Sequence, residues 1–170
     1  MLVLGHGAGG GVAAPDLVAA RHAGNDAGFS VALVEQPYRV AGRRSPAPAV
    51  QLDTAWEAVV ASLAGGPIVV GGRSSGARVA CRTAAATGAA GVLCLAFPVH
   101  PPGRPEMSRL DELKSVTVPT LVVQGKSDPF GMPPRGRGRK VVQVAADHSL
   151  RTAVRDVEAA VRAWLPTVVT

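Results

Sequence analysis

Aromatic side chains are scarce, with one Tyr, two Trp and three Phe among 170 residues. A core must therefore be filled by Val, Leu and Ala. Such a core suits parallel strands buried on both faces, which read as continuous aliphatic runs. Cysteine is nearly absent too, which excludes a disulfide framework. Cys81 and Cys94 stand in a helix-like and a strand-like run and are expected to be reduced, buried, small hydrophobes. No apolar run reaches the ~18 residues of a membrane span. No basic leader precedes the first hydrophobic residues, because Met1-Leu2-Val3-Leu4 runs straight into a glycine-rich loop. No membrane partner and a cytoplasmic location are the expectations. The four histidines, His6, His22, His100 and His148, have no paired spacing with carboxylates or cysteines. The sequence thus suggests no metal site, and it calls for no cofactor.

What is present is hydrophobic residue at 47%, too much for a disordered chain. Basic residues exceed acidic ones by 18 to 12, a formal charge of +6. The excess is mostly arginine, outside any recognisable nucleic-acid motif and without interleaved aromatics. Nucleic acid is therefore a weak candidate partner, although a run at Arg135–Lys140 keeps the idea open. A length of 170 residues fits one domain, residues 1–170.

Strand-like and helix-like runs alternate. The strands are read at Leu2–Leu4, Phe29–Val34, Ile68–Val70, Val92–Phe97, Thr120–Val123 and Lys140–Val144. Helices are read from Pro15, at Asp53–Ala64, Ser75–Ala86 and Ser149–Leu165, with a short one around Met107–Lys114. Pro15 suits a first helical position, and Val154, Val157, Val161 and Leu165 recur at helical spacing. Alternation of this kind predicts an α/β chain: a three-layer α/β/α sandwich with about six mostly parallel strands. The loops Gln36–Pro48, Pro98–Pro105 and Pro129–Gly138 follow strands and lie at the carboxyl end of the sheet, where ligands bind in such folds. About twenty residues separate the fourth strand from the fifth, too few for a large lid. The chain opens directly in a strand, so the sheet is either minimal or preceded by upstream strands, and an edge left bare would invite pairing with another chain. An oligomer is left open.

Gly72-Arg73-Ser74-Ser75-Gly76 matches G-x-S-x-G between a strand and a helix. In that setting the serine sits on a tight, strained turn that lifts its hydroxyl above the sheet. Ser74 is the candidate nucleophile and Ser75 the rival that does not fit the spacing. A serine hydroxyl needs a neighbouring base, and the base a carboxylate to orient it. His148 follows the sixth strand and Asp128 the fifth, giving the chain order Ser, Asp, His of α/β hydrolases. Asp147 is too close along the chain to bend back to the His148 ring. Two backbone N–H groups must face the developing oxyanion. Ser75 supplies one. The loop His6-Gly7-Ala8-Gly9-Gly10 supplies the other, with Ala8 favoured and Gly7 or Gly9 as alternatives that would also approach substrate. His6 reads as a loop-positioning residue.

A competing reading uses the same loop. Gly5-x-Gly7-x-x-Gly10 is a dinucleotide fingerprint, and Glu35 ends the next strand near the place of a ribose-binding acid. Against it, the helix signal comes only at Pro15, and the reading leaves Ser74, Asp128 and His148 without a role. A third possibility is a catalytically silent binding or scaffold module on the hydrolase fold.

Several stretches together carry a resemblance. They are His6–Gly10, Gln36–Arg44, Gly71–Arg78, the proline-rich Phe97–Glu106, Asp128–Gly131 and Asp147–Leu150. With these the chain resembles the dienelactone-hydrolase-like α/β hydrolases. It is most similar to the hydrolase-like domain of a subunit of the nonspecific-lethal acetyltransferase complex, of a testis-expressed relative and of small bacterial homologues. The resemblance implies a minimal α/β-hydrolase fold and the triad Ser74, Asp128 and His148. It implies no substrate.

Arg39, Arg43, Arg44, Arg73 and Arg104 fall in carboxyl-end loops, and His100 lies among them. Arg39, Arg44, Arg73 and His100 are candidate substrate contacts for a small, exposed ester, and an anionic one bearing a carboxylate or a phosphate is one reading of this arginine rim. The alternative for Arg43 and Arg44 is pairing with Asp53 or Glu57. The expected activity is hydrolysis of a small-molecule ester by a serine hydrolase.

Overall fold

The computed structural model describes residues 1–63 and 65–169. Six strands form one sheet: β1 (Leu2–Gly5), β2 (Val31–Val34), β3 (Val69–Arg73), β4 (Gly91–Leu95), β5 (Thr120–Gly125) and β6 (Arg139–Val144). Their order is β2-β1-β3-β4-β5-β6, and every neighbouring pair is parallel. The four central strands are buried almost throughout, as their aliphatic composition requires. β2 is half-buried along its length, and β6 buries only Val141 and Val144, as the strands at the two edges of the sheet.

Among the described residues six α-helices flank the sheet: α1 (Pro15–Asp26), α2 (Pro37–Val40), α3 (Ala49–Ser62), α4 (Ser75–Thr83), α5 (Leu110–Lys114) and α6 (Val154–Trp164). One hydrophobic layer joins α1 and α6 to one face of the sheet through Leu17, Ala20, Leu121, Val157 and Val161. The other joins α3, α4 and α5 to the opposite face through Trp56, Val79, Phe97, Leu113 and Val122. Cys81 and Cys94 are buried free thiols of this second layer, with Sγ atoms 3.6 Å apart.

Several boundaries differ from the sequence reading. α3 starts at Ala49 rather than Asp53, because Pro48 ends the preceding extended loop and its fixed φ leads into the helix. The far end expected for it, Ala64, lies outside the described residues. β3 runs on to Arg73, three residues beyond the aliphatic Ile68–Val70, because two glycines let strand and helix touch. α4 ends at Thr83, short of Ala86. α6 begins at Val154 after a 3₁₀ turn at Arg151–Ala153, because Leu150 takes a left-handed φ of 54° that no continuous helix allows. α2 interrupts the expected loop Gln36–Pro48, with Pro37 at its start.

Leu121 is fully buried in the central strand β5. Leu121→Ala is expected to cost about 2–5 kcal/mol, read as a lower urea midpoint with an unchanged slope.

Candidate active site

The turn from β3 into α4 sets the geometry. Ser74 adopts φ 51° and ψ −109° between them, a conformation that L-residues rarely take. The turn is that tight because α4 lies directly on the backbone of β1. A Cβ at Gly72 or at Gly76 would overlap the carbonyl oxygen of Gly5. Ser74 N–H donates to Leu95 O at 2.9 Å, which anchors the turn to β4.

Ser74 Oγ lies 3.0 Å from His148 Nε2, and His148 Nδ1 lies 2.8 Å from Asp128 Oδ2. A carboxylate can only accept, so Nδ1 carries the proton and Nε2 is left to accept from the hydroxyl. The Asp128 side chain is fully buried and the His148 ring is 18% exposed. Asp128 is held from both sides. Phe130 N–H donates to Oδ1 at 2.8 Å, and Gln124 Nε2 donates to Oδ2 at 2.8 Å. The Phe130 ring packs against the His148 ring with centroids 4.2 Å apart. Asp147 turns away from the ring. Its carboxylate accepts from Ser149 Oγ and Ser149 N, and that hydroxyl first, then that N–H, holds it below the usual carboxylate range.

On the other side of Ser74, the loop after β1 is built around a buried histidine. His6 Nε2 accepts from Gln36 N–H at 2.9 Å, and His6 Nδ1–H donates to Gly7 O at 2.8 Å. Both ring nitrogens of the neutral side chain are thereby satisfied. Tyr38 OH donates to Ala8 O at 3.0 Å and fixes that peptide. Among the described residues, Ala8 N–H and Ser75 N–H make no hydrogen bond within the protein. Ala8, Ser74 and Ser75 line one cavity of about 320 Å³. Its wall brings the Ser74 hydroxyl, backed by the His148 imidazole, beside the two residues with unused N–H groups, the parts required for acyl transfer.

The description of a known family covers residues 1–162: the alpha/beta hydrolase domain. The chain belongs to this α/β hydrolase family. Its fold is the family's, a six-stranded parallel sheet flanked by helices.

Solved structures agree at the level of fold. A lidless member of the α/β serine hydrolases from Xanthomonas campestris is 20% identical, with 97% of this chain and 83% of that one covered and a TM-score of 0.74. An alpha-beta serine hydrolase homologue from Coxiella burnetii is 16% identical, with 96% and 84% covered and a TM-score of 0.75. Est1E from Butyrivibrio proteoclasticus is 16% identical, with 98% and 86% covered and a TM-score of 0.76. No curated protein matches the sequence.

Placing a hydrolase fold on the chain disposes of the dinucleotide reading, and the local chemistry says why. α1 starts at Pro15, five residues past Gly10, and its first turn holds the buried carboxylate of Asp16 where a pyrophosphate would have to sit. Arg73 is not free to meet a substrate, contrary to expectation. Its Nε stands 3.0 Å from Asp16 Oδ2, an ion pair without a well-aligned hydrogen bond, and its Nη2 donates to His148 O at 3.0 Å. Arg73 therefore ties the His148 loop to α1, and Gly7 packs against it so closely that a Cβ would stand 2.8 Å from Nη1. Gly9 borders open space. His100 turns Nδ1 onto Pro101 O and does not line the cavity. Arg39 and Arg44 also stay off its wall. Arg44 lines a neighbouring depression with Arg43, Tyr38 and Gln51. Arg43 and Arg44 do not pair with Asp53, which is bound by Arg82 instead.

The sequence reading missed Gln124, Tyr38, Asp16 and the arginines Arg78, Arg82 and Arg109 on the cavity wall. Gln124 could have been noticed, as a polar residue closing the aliphatic run Leu121-Val122-Val123. It is fully buried, and its amide nitrogen faces Phe97 O, Asp128 Oδ2 and Gly131 O. Three acceptors around one atom require that atom to be nitrogen. Gln124→Met removes one donor from the buried Asp128 carboxylate, and a loss of about 1–3 kcal/mol is expected in chemical denaturation.

Burial raises the Asp16 carboxyl above its ordinary range, and the Arg73 charge only partly offsets this. Between the two values the folded chain keeps a proton that the unfolded chain has lost. The stability this group supplies is full below the ordinary range and declines as pH rises through the raised value. Asp16→Asn is neutral at every pH. Its melting temperature minus that of wild type is therefore expected to become more positive from about pH 4 upward, measured by thermal denaturation across pH.

Proposed function

We propose that this chain is a serine hydrolase that cleaves the carboxylic ester bond of a small molecule through an acyl-enzyme on Ser74. The observation that carries the reading is the unbroken chain of hydrogen bonds from Ser74 Oγ through His148 to Asp128, beside two unused N–H groups.

In this reading His148 Nε2 removes the Ser74 proton as Oγ bonds to the ester carbonyl carbon. The carbonyl oxygen takes the negative charge and is met by Ala8 N–H and Ser75 N–H. The carbon–oxygen bond to the alcohol then breaks, and the imidazolium returns its proton to the departing alkoxide. Water repeats the sequence on the acyl-enzyme, giving the carboxylic acid and free Ser74. Asp128 stays ionised throughout and stabilises the imidazolium. Arg73 acts through position only, holding the His148 backbone against α1.

No helix among the described residues is long and apolar enough to cross a membrane. A cytoplasmic enzyme acting on a dissolved small molecule fits this reading. The finer kinship with dienelactone-hydrolase-like enzymes and with the nonspecific-lethal complex domain is supported by the stretches quoted above, Phe97–Glu106 foremost.

Labelling with a fluorophosphonate probe tests the proposal. Wild type and Ser75→Ala are expected to label, since that substitution keeps the backbone N–H, whereas Ser74→Ala is not. A folded wild-type protein that takes no label would overturn the reading in favour of a binding module.

A further inference from the structure

The wall of the cavity beside Ser74 is lined by Arg78, Arg82 and Arg109 and by no carboxylate. Two acids stand behind the arginines. Glu112 accepts from Arg78 Nε and Nη2 at 2.8 and 2.6 Å and from Arg82 Nη1 at 3.2 Å. Asp53 accepts from Arg82 Nε and Nη2 at 2.8 and 2.6 Å. Both acids are thus engaged in forked contacts with the two arginines of α4, which stand four residues apart on one helix face.

Arg109 is left over. Its backbone is fixed by an N–H bond of 2.7 Å to Val99 O just before α5. Among the described residues its guanidinium has no ion-pair partner and no hydrogen bond. Partial burial, then the Arg78 charge, hold it below the usual arginine value. Three cations therefore face two anions, and the surplus is one charge on a planar fork of donors at the cavity wall.

We infer that Arg109 is the anion-binding residue of this cavity and that the ester taken by Ser74 carries a carboxylate. The inference rests on the hydrolase reading for its chemistry but not for the binding site itself. A single surplus charge matches a monoanionic carboxylate, which a guanidinium engages with two parallel bonds. A phosphate dianion would leave the site negative. The carboxylate is a spectator: the acyl–oxygen bond breaks with water as acceptor, and the anion keeps its charge. The rim arginines Arg43, Arg44 and Arg104 are exposed, so salt screens them, and they discriminate less than a half-buried fork.

The test uses esters that differ only in this charge. One arm takes the 4-nitrophenyl monoesters of succinate, glutarate and adipate, each beside its neutral methyl-ester twin. The other takes 3-acetoxybenzoate beside its methyl ester, with the charge on the alcohol side. In at least one arm kcat/KM for the anion is expected to exceed that of its twin by about tenfold, the scale of a hydrogen bond to a charged group. Arg109→Gln is expected to abolish that ratio. Arg155→Gln, which removes the same charge from exposed α6 in the opposite layer, is expected to retain it. Equal turnover of all twins by wild type, or a ratio untouched by Arg109→Gln, overturns the inference while leaving the hydrolase reading intact. If Ser74 takes no probe and no ester is turned over, the hydrolase reading fails separately. Calorimetric titration with the monoanion monomethyl glutarate then decides the anion site: binding lost in Arg109→Gln and kept in Arg155→Gln supports it, and absent or unchanged binding overturns it.

Discussion

Gly72 and Gly76 bring the first turn of α4 onto the backbone of β1 at Gly5, with no side chain between them. Most of the site follows from this approach. It forces the left-handed φ at Ser74 and lifts the hydroxyl away from the sheet. It places the loop after β1 beside Ser75, so that two peptide N–H groups of different elements line the same cavity. Strain of this kind persists only where the surroundings over-determine it. Here the determinants are the Leu95 carbonyl under Ser74 N–H and two fully buried strands on either side.

Charge is arranged around that contact in two separate systems. Asp16, Arg73 and the His148 carbonyl form one, linking α1, the end of β3 and the loop after β6. The Asp16 carboxylate stands in the first turn of α1, where the helix N-terminus favours an anion. Asp53, Arg82, Glu112 and Arg78 form the other and tie α3, α4 and α5 into one wall. Both are only partly exposed, so they hold geometry more firmly than surface pairs do. Arg109 belongs to neither, which sets it apart from the other arginines near Ser74.

The buried carboxylate of Asp128 shows a third kind of support. It is held in place by donors on either side, from Gln124 and Phe130, and by the ring it faces. The surrounding loop pieces are small, and no large insertion covers them. The cavity is accordingly shaped by proline-rich loops and by α4 itself rather than by a lid.

Patterns local in the chain were legible without coordinates. Runs of three to six residues, mostly aliphatic, announced all six strands. The pair of glycines around Ser74 announced the tight turn, and Asp128 and His148 stood out because each follows a strand. The fold brings His148 within hydrogen-bond distance of both Ser74 and Asp128. Helix ends were less legible, since Pro48 and Leu150 set them through backbone angles that hydrophobic spacing does not encode. Side-chain partners were the least legible. Arg73 was read as a candidate substrate contact and is held by a buried acid 57 positions earlier in the chain. Arg78, Arg82 and Arg109 carried no signal in the sequence, yet line the cavity. Composition and spacing determine where strands and turns form, because those depend on neighbours along the chain. Which charge meets which depends on distances between elements remote in sequence, and only the packed sheet decides those.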